Sequence, residues 1–554
     1  MFDYNKQPKR GQARLLLLSC SNEVPALHCP QEIITIRRTI TCPNVNPLSS
    51  LKPTEPTVRR SSNQFPFWIT LILVSGVPRI LGAFLLPNSF GDAYVYTKEA
   101  GALSAKLSTG TFSLTDFYGY WLPLYQFTSA LVNVFLNNPY YVAKLVSALF
   151  GIGVCLLVYE ISFHITRHRK ASLLAFIIIA LNPLHIFTSA SAMTDLPSAF
   201  FVLGSLYFAL RRRWLAAAIF GALAGLTRVD NWMLLVLLPM IQIFEERRVS
   251  IPSIVILIFP PLFWFYISWK ATGDWLACFV SRKQYMDALL AANPSIASLS
   301  LFGIAHNIGN LIVSTDIPVL VACLATMWLV IKRMAASSAV RNSRELRAVA
   351  SINFYFFAYL SFLLLAYLTH KQPIIFPRYG LLLFALGLPI LAWIYLEITR
   401  QKPPWARRVL VAIIAICVLD ASIEMVGSVG FINKVYAHQA AANYLREHLQ
   451  PNANSRIFCD DLTVRPESGI PEERFVSSEA APHDREGFMN YLRQNNVEYL
   501  VFIRKEDFTP AKLFPELQNG SGNEWFQPVM HVHKRFLPTD VWIYRVTSDR
   551  RTGT

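Results

Sequence analysis

Long apolar runs separated by short clusters of Lys and Arg set the rhythm of this chain. A helix needs roughly 17 to 25 apolar residues to cross the hydrocarbon core of a bilayer. Eleven segments reach or approach that length: 66–87, 141–163, 171–189, 195–210, 214–227, 230–244, 250–269, 311–331, 350–369, 378–399 and 408–430, the fifth and sixth being short. After residue 431 the pattern changes. HQAAANYLREHL and REGFMNYLRQNN read as helices, whereas RIFCD, VEYLVFI and VWIYRV read as strands between turn-rich stretches. The pattern predicts an all-α polytopic membrane protein with about eleven transmembrane helices and a small C-terminal extracytoplasmic α/β domain.

Three regions follow from this: a basic tail over 1–65, a membrane domain over 66–431 with a long first outer loop at 88–140, and the α/β domain over 432–554. The tail contains Pro and no helical or strand periodicity, so it is expected to be disordered and cytoplasmic. Its RLLLLSC run is too short for the apolar core of a signal peptide. No repeat of 20 to 50 residues is present.

Charge placement gives the sidedness. With the N-terminus inside, the inner loops hold seventeen Lys and Arg against at most nine outside. That bias predicts a cytoplasmic N-terminus and an extracytoplasmic C-terminal domain. Composition agrees: 53 % of the residues are hydrophobic and 16 % charged, with a mean hydropathy of +0.36. Soluble domains carry about 25 % charged residues. The net charge of +16 sits in loop clusters rather than on one face, which argues against nucleic acid as a partner. The eight Cys form no CxxC pair and no zinc-type spacing with His, and Cys155, Cys323 and Cys417 lie within apolar runs.

On this topology the unusual polar residues gather on the outer side. Asp92 lies in SFGDAYVYTKEAG, and Asp116 and Tyr120 in TDFYGYWLPLYQ. Asp195 lies in SAMTDLPSAFF, Arg228 and Asp230 in GLTRVDNW, and Lys371, Arg378 and Tyr379 in KQPIIFPRY. An ionisable group near the apolar zone costs a few kcal/mol unless it is paired, hydrated or used. Each also has a plain structural role open to it. Asp92 and Asp195 suit helix caps, Arg228 with Asp230 a local ion pair, and Lys371 and Arg378 interfacial snorkelling.

The first outer loop is too apolar to stand free in water, which predicts that GDAYVYTKEAGALSAKL and WLPLYQFTSALVNVFL lie on the membrane or over the bundle. An acid held there, opposite two cations, has a chemical use. Arg and Lys can hold the phosphate of a lipid-linked sugar at the interface, and a carboxylate can take the proton of an attacking hydroxyl.

Taken in order, GDAYVY, WLPLYQ, MTDLPSAFF, TRVDNW and FPRYGLLLFALGLP resemble the GT-C superfamily of membrane glycosyltransferases. The likeness is to bacterial members of the protein mannosyltransferase-like and lipid A aminoarabinose transferase-like group, and it covers about residues 66–430. The resemblance implies a polyprenyl-phosphate sugar donor, an acceptor hydroxyl on a lipid, glycan or protein, and inverting transfer at the outer face of a bacterial plasma (inner) membrane. Carried over by motif, Asp92 is the general base, and Arg378 with Tyr379 lies near the donor phosphate. Asp116, Tyr120, Asp195, Arg228 and Lys371 are substrate-binding candidates. Many members have adjacent acids in the first loop, whereas Ala93 follows Asp92 here. A divalent cation therefore stands only as a candidate cofactor, drawing on Asp92, Asp116 and Asp195, and no metal ligands are assigned. Two other readings stay open: a secondary transporter, whose acids would sit near the midplane in related halves, and a non-catalytic scaffold presenting the outer domain. In that domain Asp460, Asp461 and Glu473 could contact an acceptor or simply be solvated surface.

Overall fold

The computed structural model describes residues 64–547 except Ser89, 293–298, 337–342, Pro373, 402–403, 450–453, 479–480, 504–508 and 535–538. The expected tail thus lies outside the described residues, apart from its last two positions. The first helices are α1 (Gln64–Leu85), α2 (Gly91–Thr109), α3 (Leu124–Leu136), α4 (Pro139–Thr166), α5 (Arg169–Leu181) and α6 (Pro183–Ser189). They are followed by α7 (Asp195–Leu210), α8 (Trp214–Thr227), α9 (Leu234–Glu246), α10 (Ile251–Thr272) and α11 (Ala277–Ala292). Then come α12 (Leu301–Thr315), α13 (Ile317–Ala336), α14 (Arg344–Leu368), α15 (Gly380–Gln401) and α16 (Ala406–His448).

Seven described helices are long and apolar enough to cross a membrane, and the bent pair α5–α6 makes an eighth, while α7 and α8 are shorter apolar helices. The chain is an integral membrane protein. Two of the expected segments are interrupted. The run at 171–189 bends by 60° at Asn182, because Pro183 cannot donate a backbone hydrogen bond and holds the preceding residue extended. Asn182 caps the new helix by accepting from the His185 N–H at 2.7 Å. The run at 311–331 breaks at Asp316, which has φ 70°. There the freed Ile317 N–H donates to the Asp420 carboxylate at 3.1 Å.

The centre of the bundle is α15, buried on every side from Gly380 to Trp393, as an all-round apolar helix should be. It packs on α4, α5, α12, α13 and α14. The outer helices expose Val77 and Leu81, Phe259 and Leu262, Leu324 and Trp328, and Ile414 and Val418, the side chains expected against lipid. Ion pairs gather the basic loops at one end: Arg211 with Glu160 at 3.4 Å, Arg212 with Glu245 at 3.3 Å and Arg333 with Glu397 at 2.8 Å.

At the other end α2 and α3 fold over the bundle. Ala93 and Tyr96 of α2, Tyr125 of α3, Val142 and Val146 of α4, and Met193 form one apolar cluster, so the loop is covered rather than free. Helix α16 is 43 residues long, about 65 Å at 1.5 Å per residue, and continues without interruption past residue 431. Its Ala437, Ala441, Ala442 and Leu445 cover one face of a five-stranded sheet. The strands are β1 (Arg456–Phe458), β2 (Phe475–Val476), β3 (Val497–Ile503), β4 (Phe526–Lys534) and β5 (Thr539–Val546), in the order β2-β1-β3-β5-β4. β1 is parallel to β2 and β3, while β5 runs antiparallel to β3 and β4. Alternation divides β3: Tyr499, Val501 and Ile503 face α16, whereas Leu500 and Phe502 face Phe488, Met489 and Leu492 of the helix Arg485–Gln494.

Candidate active site

Asp92 stands in the first turn of α2, where the positive end of the helix dipole favours a carboxylate. Its Oδ2 accepts from Arg378 Nη2 at 2.6 Å, a charge-assisted pair joining residues 286 apart in the chain. Arg378 lies in the turn Pro377–Tyr379 that leads into α15. Two asparagines of α12 fix the segment before it: Asn307 accepts from the Ile375 N–H at 2.5 Å, and Asn310 donates to the Ile375 carbonyl at 3.1 Å. Gly380 lets α15 approach α12 closely, since a Cβ there would collide with the Ser314 side chain and lie 2.9 Å from its backbone carbon.

The Arg378 guanidinium is 9 % exposed and lies among the rings of Phe90, Phe376 and Tyr379, at 5.1 to 5.6 Å from their centroids. Cation–π attraction supports a guanidinium so placed. Its Nε is buried and has no partner among the described residues, so the group retains a donor for a ligand.

A second cluster adjoins this pair. Arg228 Nη1 is 2.9 Å from Asp195 Oδ1, and Arg228 Nε is 3.1 Å from Asp230 Oδ1. The Tyr359 hydroxyl donates to Asp230 Oδ2 at 2.8 Å. The Tyr379 ring neighbours both guanidiniums, 5.2 Å from that of Arg228 and 5.6 Å from that of Arg378. The turn is locked by Asn231, whose side chain donates to Ser198 Oγ at 2.8 Å and to the Ala224 carbonyl at 3.0 Å.

Two cavities meet at the Asp92–Arg378 pair. One, of about 50 Å³, is polar and lined by Tyr96, Tyr120, Arg228, Asp230, Arg282 and Tyr379 together with the pair. The other, of about 370 Å³, lies toward the soluble domain, where Phe90, Leu184 and Phe431 face Lys434, His438, Asp460 and Asp461. The carboxylate and guanidinium therefore form a wall shared by both spaces.

Of the residues singled out in the sequence, Asp92, Tyr120, Arg228, Arg378 and Tyr379 line the small cavity, and Asp195 joins them through Arg228. Asp195 is the first residue of α7, and it pairs with Arg228 instead of capping the helix. Asp116 and Lys371 are not part of this cluster. Asp116 closes a capping box with Ser113 and pairs with Lys106 at 2.5 Å, beside a separate pocket. Its slight burial would raise the carboxyl, but the bonds from Lys106 and Ser113 outweigh that and hold it below the usual range. Lys371 is exposed and lines neither cavity. Tyr96, Arg282, Tyr359 and Lys434 were not anticipated. Tyr96 stands one turn along α2 from Asp92, within GDAYVY, whereas Arg282, Tyr359 and Lys434 come from elements far along the chain and no local pattern marks them.

The donor set does not fit a divalent cation. A hard cation needs several free oxygens, yet the carboxylates of Asp92, Asp195 and Asp116 are held by Arg378, Arg228 and Lys106 respectively.

Residues 65–241 match the family model described as dolichyl-phosphate-mannose-protein mannosyltransferase. This stretch holds Asp92, Asp195 and Arg228, whereas Arg378 lies beyond it. The fold is similar to that of ArnT from Cupriavidus metallidurans. The ArnT structure bound to undecaprenyl phosphate is 11 % identical, with a TM-score of 0.50 over 86 % of this chain and 98 % of that one. The apo form is 12 % identical, with a TM-score of 0.52 over 87 % and 98 %. A search of curated proteins finds no match. The helical bundle with its appended α/β domain has the ArnT-like GT-C fold that the motifs resemble.

Proposed function

We propose that this chain is a membrane glycosyltransferase that moves a sugar from a polyprenyl-phosphate donor to an acceptor hydroxyl, with inversion at the anomeric carbon. The observation that carries the reading is the Asp92–Arg378 pair at 2.6 Å, standing between two cavities at the end of the bundle away from the basic loops. The protein sits in the plasma (inner) membrane of a bacterium, with its basic end cytoplasmic and with the site and sheet domain outside. The acceptor is a lipid, glycan or protein hydroxyl.

The chemistry follows from competition for Arg378. In the resting protein the guanidinium occupies the Asp92 carboxylate at 2.6 Å. When a donor phosphate enters, it takes donors from Arg378 and frees the carboxylate. Lys434, lining the larger cavity with Phe90, Leu184 and Phe431, supplies a second cation beside an apolar wall suited to an isoprenoid chain. Asp92 then accepts the proton of the acceptor hydroxyl as its oxygen bonds to the anomeric carbon. The bond from that carbon to the phosphate oxygen breaks, and the polyprenyl phosphate leaves with its new charge held by Arg378. Arg228, fixed by Asp195 and Asp230, keeps the Tyr379 ring against the reacting groups.

Membranes containing the full chain, supplied with a panel of polyprenyl-phosphate sugars labelled in the sugar, test the reading. One donor is expected to pass label to an acceptor while releasing polyprenyl phosphate. Transfer from none of them, or uptake of free solute without a lipid-linked donor, would contradict it.

A further inference from the structure

The edge of the sheet carries a group of side chains that the transfer reaction does not use. His531 and His533 stand two residues apart on β4, so both project from the same face. β4 is the last strand of the sheet, and its neighbour β5 places Asp540 directly opposite His533. Asp540 Oδ1 lies 2.9 Å from His531 Nε2 and 2.8 Å from His533 Nδ1, and the three donor atoms all fall within 4.8 Å of one another. Among the described residues this is the one group of three His, Cys, Asp or Glu side chains with such convergence.

The surroundings hold the group in place. The His531 ring stacks on Trp542, its partner across the ladder, with centroids 3.5 Å apart and planes 3° from parallel. That contact fixes the imidazole plane and leaves Nε2 aimed at Asp540. Asp540 is buried, whereas both histidines are open to solvent on their outer side, so an ion has an approach.

We propose that His531, His533 and Asp540 form a divalent transition-metal site of the zinc class. Two imidazoles and one carboxylate are a usual donor set for Zn²⁺ with an open position, whereas Mg²⁺ and Ca²⁺ prefer all-oxygen sets. Ligand atoms bonded to Zn²⁺ at about 2.0 to 2.2 Å in a tetrahedron stand about 3.4 Å apart. The two nitrogens therefore need to retreat from the shared oxygen by roughly half an ångström. Binding takes His531 Nε2 and His533 Nδ1 as ligands, and each neutral imidazole keeps its single proton on its other ring nitrogen. Three protein ligands leave a fourth position for water. The ion joins β4 to β5 through their side chains and so clasps an edge strand, the part of a sheet most open to unwanted pairing.

The test uses the full chain in detergent, free of affinity tags and stripped with a chelator. It is titrated at neutral pH with Co²⁺, followed by visible absorption, and then with Zn²⁺ in competition. One equivalent of Co²⁺ is expected to give absorption that Zn²⁺ abolishes. Losing even an outer-shell partner of a metal site costs about 10- to 100-fold in affinity. His533→Asn and Asp540→Asn, which keep size and polarity, are thus each expected to weaken Zn²⁺ binding at least about tenfold. His483→Ala, at an exposed histidine elsewhere in the sheet domain, should leave binding unchanged. No uptake by the wild type, equal binding by the two site variants, or loss confined to His483→Ala would each overturn the proposal.

Discussion

At the scale of single residues, what distinguishes this site is that each acid is already matched to a cation. A buried carboxylate without one would be too costly at this depth, and a matched one is held in place until a ligand competes for its partner. Asp461, on the wall of the larger cavity, shows the same economy in the water-soluble domain. Burial would raise its carboxyl, but the His438 ring 3.1 Å away, the Val464 N–H and the charge of Lys434 outweigh burial and hold it at about 2. An ordinary aspartate titrates near about 3.9. Because the folded value is the lower one, this carboxylate stabilises the protein fully above about pH 4, and the contribution is lost as pH falls toward 2. Asp461→Asn is expected to destabilise the protein by on the order of 2 kcal/mol at neutral pH. Thermal unfolding of the two proteins should converge as the buffer is acidified, and a gap that stays constant with pH would contradict the assignment.

At the scale of elements, the close contact of α12 and α15 sets the aim of Arg378. Gly380→Ala adds a methyl where Ser314 already stands, and overpacking of that kind costs about 1 to 3 kcal/mol. A lower melting temperature is expected together with a loss of transfer larger than the loss of folded protein, because the turn carrying Arg378 must shift. Unchanged transfer in this variant would show that the α12–α15 contact does not position the guanidinium. The helices themselves were legible in the sequence wherever apolar runs were long, as in α4, α10 and α15. The bend at Asn182 has a local mark, the Asn182–Pro183 pair, set within an otherwise continuous apolar run; the break at Asp316 has none, because it is compensated by a distant group, Asp420 on the Ile317 N–H. Strand β4 was missed for a local reason: Pro528 and a register shift beside it interrupt the alternation that marks a strand. β2, two residues long, carries too little pattern to read.

At the scale of the whole membrane-embedded unit, one end gathers the basic loops and the other gathers the paired acids. Helix α2 links the site to the sheet domain: the Tyr94 hydroxyl donates to Glu467 at 2.5 Å, and Lys98 lies 3.7 Å from Glu472. The periodicity of the chain could announce a membrane domain and a soluble one. It could not say that Asp92 and Arg378 touch, since only the resemblance of separate motifs put them near one donor, and tertiary pairing across 286 residues leaves no local trace. Sidedness can be measured with a membrane-impermeant maleimide in a cysteine-free background. Lys371→Cys is expected to react in intact cells and Arg248→Cys only after the membrane is opened. The opposite pattern would invert the topology and move the site to the cytoplasmic face.

The most direct measurement is the rate of sugar transfer from the productive polyprenyl-phosphate donor by wild type, Asp92→Asn and Arg378→Ala, at equal protein levels and after confirming that each variant is folded. General base catalysis is worth about 10²- to 10⁴-fold, so Asp92→Asn should lose at least a hundredfold in rate. Arg378→Ala should lose a comparable factor and bind the donor more weakly. Transfer at the wild-type rate by Asp92→Asn would remove the base from the mechanism, and with it the reading of the Asp92–Arg378 pair as the reacting centre.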